Sequence, residues 1–192
     1  MKYNLENIQK DFETYRTLAQ KNFSVNNKKA LTLLIEDFGE KLIMAPASQR
    51  DDLHLSRPGG LIRHSLNTMK VYSNLFISNA SESDLRSSVT TCLLHDIGKL
   101  GTIEEDYYVS AEGHYRNNYF INEKLRALRV PQRTLKLLHD YSFQLSDDEW
   151  TAITNASFFI EEKDYWQSVW NLPDLAINLA TAKLLAIRKE KA

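Results

Sequence analysis

The reading of the fold turns on Cys92-Leu93-Leu94-His95-Asp96-Ile97-Gly98-Lys99, where a histidine and a carboxylate stand side by side at the end of an apolar run. Upstream, Leu85, Val89, Cys92 and Leu93 recur at three- and four-residue spacing, which predicts a helix from Asp84 to Leu94. Ser81, with Asp84 three residues on, supplies its start, and Gly98 its end. Successive helical residues point ~100° apart, so His95 and Asp96 can flank one point in space at a helix end. An imidazole nitrogen with a carboxylate oxygen suits a borderline divalent cation such as manganese, iron, nickel or zinc. Lys99 lies four residues after His95 and three after Asp96, placing its ammonium within reach of an anion held there.

A His-Asp dipeptide alone is a weak signal, and His139-Asp140, also preceded by two leucines, is a second one. Only the first is followed by Gly-Lys, and only the first has a histidine segment upstream to match it. Cys92, one turn before His95, reads as a small buried packing residue rather than a ligand.

That upstream segment begins where Ala45-Pro46-Ala47-Ser48 ends a helix and an irregular polar stretch runs to His54-Leu55-Ser56-Arg57-Pro58-Gly59-Gly60. Pro-Gly-Gly marks a tight turn into the next helix. That helix carries Leu61, Ile62, Leu66, Met69, Val71, Tyr72 and Leu75, with His64 on its first turn and a half. Paired glycines before a histidine-bearing helix let the backbone approach a ligand closely.

Elsewhere the pattern is one of packing helices. Residues 4–23 carry Leu5, Ile8, Phe12, Tyr15, Leu18 and Ala19, and residues 28–44 carry Leu31, Leu34, Ile35, Phe38, Leu42 and Ile43, with Asn26 and Asn27 between. Thr102 to Tyr108 is rich in β-formers and acids, and a loop or short hairpin there is expected to return His114 towards the site. Residues 119–129 and 132–142 read as two short helices, with Pro131 at a helix start. Lys124, Arg126, Arg129, Arg133 and Lys136 on them make a basic surface, most simply a solvated helix face. Ser146 with Glu149 is a capping box for a helix to about Phe159, and a last helix follows Pro173. Trp150, Trp166 and Trp170 are expected to pack in the core. The predicted class is all-α.

The composition is that of an ordinary globular chain: 192 residues, 43% hydrophobic and 26% charged. A formal net charge of −1 gives no long-range field to gather nucleic acid or anionic membrane. A single cysteine excludes an internal disulfide framework. No apolar run approaches the ~20 residues needed to span a bilayer, and no signal peptide is evident at the start. A cytoplasmic protein is expected, in the host cytoplasm if it is viral.

Taken together, Ala45-Pro46-Ala47-Ser48, His54, Gly59-Gly60-Leu61, His64-Ser65-Leu66 and Leu93-Leu94-His95-Asp96-Ile97-Gly98-Lys99 resemble the HD-domain metal-dependent phosphohydrolases. The likeness is to the small single-domain type common in bacteriophages, and to the HD part of some bacterial 3′–5′ exoribonucleases. It divides the chain into an N-terminal helical extension, 1–44, and an HD domain, 45–192. The resemblance implies an α-helical bundle holding one divalent metal (manganese, iron, nickel, zinc or magnesium) that activates water towards a phosphoryl group. His64, His95 and Asp96 take the metal-ligand positions, and Asp96 and Lys99 the catalytic ones. His54, Arg57, His114 and Lys183 are the candidate substrate-binding residues. A nucleotide or short oligonucleotide phosphoester is the implied substrate class.

The chain departs from that family at two pocket positions. Its last metal-ligating aspartate falls in a Leu-x-x-Ala-Asp segment, and here the stretch reads Leu179-Ala180-Thr181-Ala182-Lys183. A histidine that follows Glu-x-x-Ala-Ile in related proteins is also missing, because Thr154-Asn155-Ala156 follows Glu149-Trp150-Thr151-Ala152-Ile153. An ammonium beside a cation repels it. Lys183 therefore either pairs with Asp96 in the metal's place or snorkels outward and leaves a three-ligand site. The alternative function is a catalytically impaired HD fold that binds a nucleotide or a protein as a regulatory module. A nuclease acting on long nucleic acid is a third reading, disfavoured by the charge balance.

Overall fold

The apolar stripes near the N-terminus become α1 (Leu5–Asn22) and α2 (Val25–Met44) of the computed structural model, which describes residues 4–50, 52–78, 81–157 and 171–191. The break between them falls earlier than the Asn26-Asn27 pair. Ser24 is the N-cap of α2, its side chain accepting from the Asn27 backbone N–H. Asn27 is buried inside the helix and exchanges two hydrogen bonds with the Gln144 backbone, at 2.7 and 2.9 Å.

Next come α3 (Gly60–Phe76) and α4 (Glu82–Leu94), a 3-10 turn at Ile97–Leu100, strands β1 (Tyr108–Ser110) and β2 (Tyr119–Ile121), and a second 3-10 turn at Glu123–Leu125. Among the described residues three helices follow: α5 (Val130–Asp140), α6 (Asp147–Thr154) and α7 (Asp174–Glu190). The capping boxes at Ser81/Asp84 and Ser146/Glu149 start α4 and α6 as their sequences predict. Pro131 lies in the first turn of α5, and Pro173 is the N-cap of α7. The described chain is thus mostly helical, with one small antiparallel hairpin.

α3 packs on both α4 and α7, while α1 packs on α3 and α4. One hydrophobic core runs from Tyr15, Leu31, Leu34 and Phe38 on the first two helices through Leu93, Leu94 and Ile97 to Leu138, Ile153 and Leu179. The buried Tyr15 hydroxyl donates to the Leu93 carbonyl at 3.1 Å, which fixes α1 beside the end of α4. No helix among the described residues is long and apolar enough to cross a membrane.

Five local readings are corrected. Residues 119–121 form a strand, with Tyr108 opposite Ile121 and Ser110 opposite Tyr119; aromatic and β-branched side chains favour that pairing over helix. The helix after Trp150 stops at Thr154, and residues 158–159 lie outside the described part. Trp150 is 48% exposed rather than a core residue, and Trp166 and Trp170 also lie outside it. Gly98 does not cap α4, which ends with His95 as its C-cap. Its role is close approach: a Cβ there would lie 2.5 Å from the Thr134 nitrogen and 2.6 Å from the Val130 carbonyl oxygen. Gly60 works the same way, its backbone pressed against Leu55 and Ala47 rather than against a ligand.

Candidate metal centre

α4 ends at Leu94, and Asp96 leaves helical geometry at φ −119°, ψ 8°. That break is what lets neighbouring His95 and Asp96 face one region. The Nδ1 of His95 lies 3.0 Å from the Cys92 carbonyl oxygen. A carbonyl only accepts, so Nδ1 carries the hydrogen and Nε2 presents a lone pair. From the other side α3 brings His64, whose Nδ1 lies 2.9 and 3.1 Å from the two carboxylate oxygens of Glu190. The same argument leaves its Nε2 as a bare acceptor.

The two Nε2 atoms lie 3.7 Å (His95) and 3.9 Å (His64) from the Oδ2 of Asp96. Both are buried without a hydrogen-bond partner among the described residues. Three acceptors around one point cannot satisfy one another, and each of the two orphaned Nε2 atoms costs about 1–3 kcal/mol. A cation bound with Asp96 Oδ2, which already accepts from Lys99, answers both. Around a tetrahedral ion with ~2.1 Å bonds, ligand atoms sit ~3.4 Å apart, so each Nε2–Oδ2 distance would close by only a few tenths of an ångström. The Nδ1 bonds to Cys92 and Glu190 are the outer contacts that orient metal-ligating imidazoles. His64, His95 and Asp96 are therefore a group that could hold a metal ion.

Asp96 is also held by two lysines. Lys183, from α7, places its ammonium 2.9 Å from Oδ1 and 3.2 Å from the Ser157 hydroxyl, and is itself 7% exposed. Lys99 lies 2.6 Å from Oδ2 and donates to the Ala47 carbonyl at 2.7 Å. Of the two courses open to Lys183, pairing with Asp96 is the one taken. It holds the carboxylate oxygen turned away from the imidazoles, not the one they face. Burial pushes the Asp96 carboxyl upward, but Lys183 and Lys99 outweigh it and hold the group well below the usual range. Burial lowers Lys183, with Asp96 opposing. For Lys99 the downward pull of burial is more than offset by Asp96.

The remaining candidates divide. His54 joins the cluster, its ring centroid 4.9 Å from that of His64 and its Nε2 buried without a hydrogen-bond partner among the described residues. Arg57 does not: it is exposed and borders a separate groove with Asn4, Leu5 and Pro58. His114 does not either. The hairpin forms, but after Gly113 (φ +78°) the His114 ring faces solvent, stacks on Tyr115, and accepts the Arg116 and Asn117 backbone N–H groups. Asn155 only closes the end of α6, donating to the Thr151 carbonyl. On the basic segment, Lys124 pairs with Glu105, Arg126 with Glu123 and Lys136 with Asp140.

Three contributors escaped the sequence reading. Glu190 orients His64 and is itself held by Asn67 at 2.8 Å. Thr134 accepts from the Gly98 N–H and donates to the His95 carbonyl, clamping the turn that carries the pair. Glu190 had one available signal: it lies seven residues after Lys183, hence on the same face of α7.

Burial holds both His64 and His95 at about 3, against 6.5 in a free chain, and lowers His54 in the same direction. The unfolded chain then binds more protons than the fold between those values, so stability falls as pH drops below 6.5. For His64 and His95 together the slope approaches about 2.7 kcal/mol per pH unit. Urea titrations of EDTA-treated protein between pH 7.5 and 4.5 are expected to show this loss; a flat profile would mean the imidazoles are not buried in neutral form.

Comparison with family models, with curated proteins and with solved structures gave no match to this chain. Fold and site define a mostly helical protein with a buried two-histidine, one-aspartate group, its aspartate paired with Lys183 through Oδ1 and with Lys99 through the Oδ2 that faces the imidazoles.

Proposed function

We propose that this chain is a metal-dependent phosphohydrolase of the HD-domain type, acting on a nucleotide or short oligonucleotide phosphoester. The observation that carries the reading is the pair of buried Nε2 lone pairs converging on Asp96 Oδ2. His64, His95 and Asp96 would hold one divalent ion, whose chemistry is to polarise a phosphoryl oxygen and lower the pKa of a bound water. Lys99 has an ammonium hydrogen beyond those given to Asp96 and Ala47, and it offsets negative charge on a phosphoryl group nearby. Glu190 and the Cys92 carbonyl keep the two imidazoles in the tautomer that binds a cation. The test is metal content after loading with manganese, zinc or iron, together with phosphate release from a nucleotide panel. One ion per chain is expected, with His95→Ala losing both the ion and at least a hundredfold in rate. An ion-free protein whose hydrolysis ignores His95→Ala overturns the proposal.

The Lys183–Asp96 bond favours a second reading, an HD fold that has given up turnover and serves as a binding module. Under it the natural chain is inert, and Lys183→Asp restores metal binding and hydrolysis. Full activity in the natural chain rules it out.

A further inference from the structure

Beside the metal cluster lies a cavity of about 530 Å³, and Lys99 belongs to both. Its size falls within the ~300–1,000 Å³ of small-molecule sites. One wall is aromatic. Tyr108 on β1 and Tyr119 on β2 fall on the same face of the hairpin, because Tyr108 pairs with Ile121 and Ser110 with Tyr119. Their ring centroids are 6.1 Å apart, and Tyr107 meets Tyr108 edge-on at 4.9 Å. The opposite face of the hairpin turns Val109 and Phe120 to solvent, so the tyrosines and not the plain hydrocarbons line the cavity.

Pro46 and Pro58, from the loop that leads into α3, also line the cavity. Hairpin and loop are fastened together: the Asn118 and Tyr119 N–H groups both donate to the Gln49 carbonyl, and the Asn118 side chain donates to the Ser56 carbonyl. At the rim, Lys41 is fixed by Asp106 at 2.8 Å and by the Thr102 and Ile103 carbonyls. The walls are therefore built before any ligand arrives. A cavity lined by three tyrosines and two prolines offers ring surfaces to a flat ring, and Lys99 in the same lining offers a cation to an anion attached to that ring, with Glu40 and Asp106 the acids of the lining.

We propose that this cavity is the ring-binding subsite of the chain: a nucleobase stacks against Tyr108 and Tyr119 while the 5′-phosphate of the same nucleotide meets Lys99. The proposal rests on the phosphoester reading for the direction in which the ligand lies, but its binding step needs no metal. Stacking on aromatic side chains tolerates different bases, so the subsite selects for a base rather than for one particular base.

The test is calorimetric binding in EDTA of the four common nucleoside 5′-monophosphates against ribose 5-phosphate. At least one nucleotide is expected to bind tenfold or more tightly than ribose 5-phosphate. Tyr119→Leu, at a half-buried position, is expected to erase that preference while leaving ribose 5-phosphate unchanged, and Tyr119→Phe to keep it. Equal binding of nucleotides and sugar phosphate, no binding of either, or a preference that survives Tyr119→Leu overturns the proposal. The phosphohydrolase reading fails separately. A base preference in EDTA from a protein that never takes up metal or releases phosphate sinks that reading and leaves the subsite standing.

Discussion

Lys183→Met is expected to bind a divalent ion at least a hundredfold more tightly than the natural chain. An ammonium ~5 Å from a divalent ion repels it by about 6–7 kcal/mol at an effective dielectric of 20. Lys183 sits within that range, because it holds one oxygen of the carboxylate whose other oxygen faces His64 and His95. Methionine keeps the length and apolar stem of lysine and removes the charge. Part of the gain is offset, since Asp96 keeps Lys99 but loses the bond from Lys183 to Oδ1. A hundredfold is about 2.7 kcal/mol, well inside what the Coulomb difference leaves. In EDTA the variant should be less stable than the natural chain by about 3 kcal/mol, because a buried pair has lost one partner. Added manganese should close that gap, since a ligand bound only by the folded state stabilises it. Calorimetric titration and urea unfolding with and without the ion measure both effects. Unchanged metal affinity would show that Lys183 leaves Asp96 when the ion arrives.

The His95–Asp96–Lys99 part of the candidate metal centre was legible from residue order because it is local. His95, Asp96 and Lys99 fall within five residues, and a helix end between them is enough to aim them. Capping boxes at Ser81 and Ser146 were legible for the same reason: a side chain and a backbone N–H three residues away specify each other. What failed was whatever a distant segment decides. Residues 119–121 have helix-compatible neighbours, yet β1 turns them into a strand. Gly98 looks like a stop signal, but its lack of a side chain is required by α5 passing within 2.6 Å of where a Cβ would be. His114 was expected at the site, and a left-handed glycine beside it turned the ring outward. Glu190 lay in a charged C-terminal stretch, marked only by its seven-residue spacing from Lys183. Only the packing of α3 on α7 gives it His64 as a partner.

Asp96→Asn is expected to leave no stably folded protein at neutral pH in EDTA. The change conserves volume, so packing is not the cause. Asp96 is the single anion between two ammonium groups, 2.6 Å from Lys99 and 2.9 Å from Lys183, and all three side chains are buried. An amide turns both pairs into stranded cations. Breaking one buried pair typically costs about 3–5 kcal/mol, and two such losses rival the about 5–15 kcal/mol that holds a whole domain together. Lys99 retains the Ala47 carbonyl and Lys183 the Ser157 hydroxyl, but neither partner carries charge. Circular dichroism and thermal melting should therefore show loss of the cooperative transition. The double variant Asp96→Asn/Lys183→Met should recover part of it, because one stranded cation goes with Lys183. That makes the two substitutions strongly non-additive, as expected for side chains in direct contact. A single Asp96→Asn variant as stable as its parent would mean that water reaches the lysines. The same water would then hydrate the imidazole nitrogens, and the case for a dry, cation-seeking site would go with it.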